Sequence, residues 1–284
     1  MLWVFLLLAL AVLVIGSYTD LKTKEVPDWV NFGLIFAGVG IHAIQSAVEQ
    51  SWGPVIYSGV GLGIGIGIAV MMYYLGQWGG GDAKMLMGLG AVLGFDFSLN
   101  SFFLSFIINA FILGAIYGLC YGIVLAVKNR QSFSKIFSKL HNKTTILRRI
   151  LLGVAIAFLI FSIVLFYFRI IFPLMIFFVV LLVIIFYYLF LYAKTIEKCC
   201  MLRYVSPDKL TEGDWIAKEV KYKGKYITGP KDLGISKKQI NLLKKLRIEK
   251  VLMKDGIPFV PSFLIAFVFT YFLGNVFFLL FSIL

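Results

Sequence analysis

The chain has 284 residues, of which 61% are hydrophobic, 17% aromatic and 14% charged. Soluble domains are nearer half apolar and about a quarter charged, so this composition excludes a soluble globular protein and requires a membrane protein with several spans of ~20 apolar residues. The formal net charge of +13 would suit a nucleic-acid partner, but its placement in alternate loops argues otherwise and no known nucleic-acid module is recognised, so no nucleic acid is expected.

In chain order, apolar segments fall at 2–19, 29–46, 54–76, 83–97, 101–127, 147–169, 172–193 and 258–283. The first lacks the basic start and small-residue cleavage site of a signal peptide and is read as a retained helix. Segment 83–97 reaches only about 22 Å as a helix, so it is tilted, shallow or re-entrant. Residues 147–193 are too long for one span and are broken only at Arg169 and Pro173, which predicts a tight reversal there. Residues 194–257 are the one candidate soluble segment, with β-like pieces at 219–227, a turn at Gly229-Pro230, and a helix started by Ser236 with Gln239 at the capping-box position. The basic helix that follows places Ile240, Leu243 and Leu246 on one face, which rests either on the membrane surface or against its own domain. The expected divisions are therefore 1–127 (a membrane core), 128–146 (a basic loop), 147–193 (two further spans), 194–257 (a small mixed α/β segment) and 258–284 (a last span). The fold class is an all-α polytopic membrane protein with about eight transmembrane helices. Cys120, Cys199 and Cys200 have no metal-binding or redox spacing.

Charge placement fits this map. Of the 27 Lys and Arg, all but Arg169 lie in alternate loops: 20–28, 77–84, 128–149 and 194–257. The positive-inside rule makes those loops cytoplasmic and places both termini outside. The excess positive charge then serves topology and attraction to anionic membrane lipids.

Eight of the 14 acids lie in 194–257. Glu49 and Asp96 fall in outer loops, and Glu25 and Asp28 in the first basic loop. Asp20 and Asp82 differ, because each sits at the cytoplasmic edge of an apolar segment, where ionisable groups are functional candidates. An Asp at a helix start is also an ordinary cap. Asp20, at a helix end, opposes the dipole, or begins a solvated loop beside Lys22 and Lys24. Two carboxylates brought together cannot both ionise, so one keeps a proton and the pair can act as general base and general acid on one water. Before Asp82 stand Gly79, Gly80 and Gly81, which either leave room for an extended substrate backbone or form a plain flexible turn. The third segment carries two interleaved small-residue stripes, Gly59/Gly63/Gly67 and Gly61/Gly65, suited to close helix packing.

These residues resemble a known family. Gly79-Gly80-Gly81-Asp82 fits the GxGD signature of intramembrane aspartyl proteases. With Ala83-Lys84 it is similar to the GxGDxK motif of type IV prepilin peptidases and archaeal preflagellin peptidases. The stretch Ser17-Tyr18-Thr19-Asp20-Leu21-Lys22-Thr23-Lys24-Glu25-Val26-Pro27-Asp28 resembles the family's first motif. Gly256-Ile257-Pro258-Phe259-Val260-Pro261 is similar to its C-terminal proline element, and Glu212-Gly213-Asp214-Trp215 begins a block like the soluble segment of archaeal members. The resemblance covers 1–127 and about 200–284. The departure is 147–193, two spans beyond the usual six. The cysteine-rich domain tied to N-methyl transfer in bacterial members is absent, so no methyltransferase is expected.

The resemblance implies an aspartic endopeptidase with Asp20 and Asp82 as its catalytic pair, needing no metal or other cofactor. It would remove short basic leader peptides from pilin-like or archaellin-like precursors at the cytoplasmic membrane surface. Gly79, Gly80 and Gly81 would admit the substrate backbone. Lys84 would orient the loop or meet lipid phosphate, and Glu25 and Asp28 would supply acid near the basic leader. Two alternatives remain. A presenilin-type GxGD protease would carry a Tyr-Asp pair within a helix and a Pro-Ala-Leu element, whereas here Asp20 follows Thr19. A transporter or assembly subunit would show internal repeats and acids at mid-membrane, whereas these acids lie at the edge.

Overall fold

The computed structural model describes residues 2–167 and 173–283. Its helices are α1 (Leu2–Thr23), α2 (Asp28–Glu49), α3 (Gly53–Tyr74), α4 (Gly80–Leu93), α5 (Phe102–Lys128), α6 (Arg130–Lys143), α7 (Thr145–Tyr167), α8 (Pro173–Ile196), α9 (Lys237–Lys245), α10 (Val260–Leu273) and α11 (Val276–Ile283). The protein is a helical, multi-pass membrane protein with a small α/β segment. Among the described residues five helical stretches are long and apolar enough to span a membrane, Trp3–Thr23, Asp28–Glu49, Gly53–Tyr74, Phe102–Lys128 and Phe178–Met201, and a bent pair, α6 with α7, makes up to six. The reversal expected near Arg169 lies outside the described residues; α7 and α8 pack against each other.

The chain divides into two compact units: residues 1–121, 205–251 and 255–284 form the first, and residues 122–204 with 252–254 the second. The core of the first joins Phe5, Leu13, Leu34, Leu86, Leu89, Phe103, Phe106 and Phe263. Helix α4, short as the sequence suggests, has 14 residues, eight of them buried. A helix apolar on all sides is one enclosed by protein, and α4 packs against α1, α2 and α3.

Backbone contact makes that enclosure possible. A Cβ on Gly61 would stand 2.3 Å from the Gly90 carbonyl oxygen, one on Gly90 2.3 Å from the Gly61 oxygen, and one on Gly65 3.0 Å from the Leu86 oxygen. Ser58 Oγ donates to the Ala91 carbonyl oxygen at 2.7 Å. Of the two glycine stripes on α3, only Gly61/Gly65 forms the interface; Gly59, Gly63 and Gly67 have open space where a Cβ would lie.

The final apolar segment is two helices. Gly274, at φ +70°, ends α10. Asn109 from α5 then brackets the break: its Nδ2 donates to the Gly274 oxygen at 2.7 Å and its Oδ1 accepts the Val276 N–H at 3.0 Å. A side chain from another helix satisfies backbone groups that the missing turn leaves open.

In the small α/β segment, strands Val220–Tyr222 and Lys225–Thr228 pair antiparallel with an irregularity at Val220/Lys221. Ser236 caps α9 as expected, with Gln239 reaching back to the Ser236 N–H at 2.8 Å. Ile240 and Leu243 are buried, and α9 packs on the Lys225–Thr228 strand. Of the two placements open to this helix, packing within its own domain is the one observed. In the second unit α6, α7 and α8 pack together, and a Cβ on Gly122 would meet the Tyr192 hydroxyl at 2.6 Å.

Gly61→Ala and Gly90→Ala are expected to lower stability in detergent by about 1–3 kcal/mol, because the added methyl meets backbone rather than a movable side chain. Gly63→Ala, one stripe away, is expected to shift it by less than about 0.5 kcal/mol. Thermal unfolding of the three variants measures the difference.

Candidate active site

Helix α1 continues one turn past the apolar segment that ends at Thr19, and Lys24, at φ +59°, closes it with its N–H on the Asp20 carbonyl oxygen at 2.8 Å. The Asp20 side chain is 5% exposed. Its Oδ2 accepts the Val260 N–H at 2.9 Å. Val260 is the first residue of α10, whose N-cap, Phe259, supplies no side-chain cap, and whose second residue, Pro261, has no N–H. Asp20 therefore caps α10 across the fold, satisfying an N–H that a helix start leaves orphaned. This resolves the difficulty of an acid at the C-terminal end of α1: the positive end of a second helix faces it.

Asp82 is the third residue of α4. Its Oδ2 accepts the Gly79 N–H at 3.1 Å. Gly79 has no side-chain oxygen to return the bond, so only the acid's half of a reciprocal cap forms. Asp82 is half-buried. Helices α1 and α4 pack against each other next to both acids: a Cβ on Gly16, one turn before Asp20, would stand 2.6 Å from Cε of Met85, one turn after Asp82. Two helix starts, those of α4 and α10, thus converge with the end of α1 on one pair of acids.

Trp78 joins these parts. It is 5% exposed, and its ring lies 5.8 Å from Phe111, 5.7 Å from Phe259 and 5.3 Å from Phe263. One indole therefore fixes the loop that leads into Asp82 to the same helix start that holds Asp20.

The other candidates fall around this pair. Gly79 and Gly80 are exposed, whereas Gly81 lies against Val26, with 3.3 Å from its Cβ position to the Val26 nitrogen. Asn31 Nδ2 approaches the Gly81 oxygen at 3.5 Å. Lys84 pairs with Asp28 at 2.5 Å and its Nζ lies 5.4 Å from the Phe32 ring centre. The partner of Lys84 is thus an acid of the first motif, and the pair ties the two motif stretches together. Glu25 Oε1 accepts the Thr211 hydroxyl at 2.7 Å, and Lys24 pairs with Asp255 at 2.8 Å, so both residues anchor the α/β segment beside the site. Burial raises the Asp214 carboxyl above its usual range against the opposing Thr211 N–H, and the charges of Glu25 and Asp255 raise it further.

Sequence reading missed Val260, Trp78 and Asn31. The prolines at 258 and 261 signal a helix start, but nothing in the pattern says which side chain caps it, because every non-proline residue carries the same N–H. Trp78 stands next to the glycines and reads as a loop residue until its three aromatic partners are placed.

The helices make a polytopic membrane protein in which Asp20 and Asp82 each accept a backbone N–H at a helix start. Residues 7–127 match the model of the type IV leader peptidase family. It is similar to the preflagellin peptidase of Methanocaldococcus jannaschii, 36% identical over 81 residues, which are 28% of this chain and 34% of the relative. It is also similar to the preflagellin peptidase of Methanococcus voltae, 33% identical over 81 residues, again 28% of this chain and 34% of the relative. The match thus spans about a third of the length of these curated relatives. No solved structure matches the chain.

Trp78→Ala is expected to destabilise the protein by about 3–5 kcal/mol, the range for removing a large aromatic from a packed site. Trp78→Phe, which keeps a ring among Phe111, Phe259 and Phe263, is expected to recover most of it. Melting temperatures in one detergent would compare the two.

Proposed function

We propose that this chain is a membrane aspartic endopeptidase that removes short basic leader peptides from pilin-like or archaellin-like precursors, with Asp20 and Asp82 as the catalytic pair. The observation that carries the reading is the packing of α1 against α4 beside Asp20 and Asp82, each of whose carboxylates is held by a backbone N–H, in a chain whose residues 7–127 match the type IV leader peptidase family. Both relatives are named preflagellin peptidases. The basic loops and residues 194–257 are taken as cytoplasmic and both termini as external, by the charge bias of the loops.

The chemistry follows from sharing one proton. The ionised carboxylate takes a proton from water as the hydroxide adds to the scissile carbonyl carbon, and the protonated carboxyl gives its proton to the departing amine. The precursor's apolar helix partitions into the bilayer, which brings its leader junction to the depth of the acids. Exposed Gly79 and Gly80 leave room for the backbone of the scissile segment. Glu25, whose partner is the neutral Thr211 hydroxyl, lowers the cost of bringing a basic leader to a basic protein. The Lys84–Asp28 pair holds the two motif stretches in register and leaves lipid contact to other cations.

The test is cleavage of a pilin-like precursor by membranes carrying wild type, Asp20→Asn or Asp82→Asn. Each Asn variant is expected to lose activity by at least about a hundredfold, the low end of a general acid or base contribution. Wild-type rates in either variant would remove that residue from the chemistry. Failure of wild type to cut any precursor would remove the peptidase reading.

A further inference from the structure

Helix α6 carries its charge unlike the other basic parts of the chain. Residues 128–149 contain seven Lys and Arg and no Asp or Glu. On α6, Phe133, Ile136, Phe137 and Leu140 are half-buried, and Lys135, Lys139 and Lys143 are exposed. The first set repeats at i, i+3, i+4 and i+7, the second at i, i+4 and i+8, so the helix has one apolar and one basic face. The apolar face is occupied within the protein: the Phe133 ring lies 6.0 Å from Tyr192 of α8, Phe137 stacks on His141 at 6.0 Å, and His141 stacks on Tyr188 of α8 at 6.3 Å. His141 also meets the Arg148 guanidinium. What α6 presents outward is the lysine stripe, which spans about 12 Å.

Two further observations say what that stripe faces. Helix α6 is bent 68° from the apolar helix Arg148–Val164 that follows it. Where the second helix crosses the bilayer with the usual tilt of about 20°, the first lies nearer the membrane plane than its normal. The stripe also lacks counter-charge. Lys24, Lys84, Lys221, Lys237, Lys244 and Lys254 each have a carboxylate within ion-pair distance. Among the described residues none stands that close to Lys135, Lys139 or Lys143. Orientation in the membrane requires only a sum of positive charge in a short loop; it does not require three lysines on one face of an anchored helix.

We infer that the Lys135–Lys139–Lys143 face of α6 binds the headgroups of anionic phospholipids. Ammonium groups spaced one helical turn apart along the bilayer surface meet successive phosphodiesters, and the α8 aromatics hold the helix so that the charges need not be ordered anew. The inference is independent of the peptidase reading, since it concerns α6 and its anchor on α8 alone.

The test uses the whole detergent-solubilised protein with dioleoyl phosphatidylglycerol or dioleoyl phosphatidylcholine added to the micelles, bound lipid being counted by native mass spectrometry at low ionic strength. Wild type is expected to retain phosphatidylglycerol over phosphatidylcholine. K135Q/K139Q/K143Q is expected to bind phosphatidylglycerol on the order of a hundredfold more weakly, and K135R/K139R/K143R is expected to bind it like wild type. K237Q/K238Q/K244Q, which removes equal charge from α9, is expected to keep the lipid. A melting temperature for K135Q/K139Q/K143Q equal to wild type in lipid-free micelles separates lost binding from lost folding. Equal retention of the two lipids by wild type, undiminished binding by the α6 Gln variant, or equal loss in the α9 variant would each overturn the inference. So would preferential binding of a single-stranded oligonucleotide that the α6 Gln variant abolishes.

Discussion

The N–H of Val260 needs an acceptor, and Asp20 is the group that supplies it. Pro261 removes one donor from the first turn of α10, and Phe259 brings no cap of its own, so the remaining N–H would be buried without a partner. An orphaned donor costs about 1–3 kcal/mol. The same bond gives a buried carboxylate a donor and the positive end of a helix. Cap and candidate acid are therefore one side chain, and the α10 start cannot leave Asp20 without cost to both.

Around that bond the site is built from close approaches. Gly61 and Gly90 bring the α3 and α4 backbones together, which encloses α4 and allows 14 residues to stand in an apolar setting. Trp78 then carries the loop before Asp82 onto the α10 start. Lys84 and Asp28 join the second motif to the first, while Glu25 and Lys24 join the first motif to the α/β segment. Charged groups that look like separate surface features in the sequence are mostly paired with one another across the site.

Hydropathy alone marked the long spans, because an apolar run of spanning length has few other uses. Asp20 and Asp82 were legible because acids are expensive at the ends of such runs and because their neighbours resemble a family's motifs. The short α4 was visible as an anomaly of length. The break at Gly274 was not, since glycine inside an apolar helix is common and the group that satisfies the broken turn, Asn109, lies on α5. The interface stripe on α3 was narrowed only to two choices, because both have the same spacing and the partner backbone decides between them. Side-chain pairs such as Glu25 with Thr211 are separated by 186 residues, and no local pattern encodes them.

The bond between Asp20 and Val260 also orders events in time, since 240 residues separate its ends. Chains are made and largely folded from the N-terminus. Asp20 and Asp82 emerge early, and α1, α3 and α4 can associate while synthesis continues. The group that fixes the Asp20 carboxylate does not exist until residue 260 has been added. A growing chain therefore holds both acids without the arrangement that positions them, and the paired site is completed among the last tertiary contacts to form.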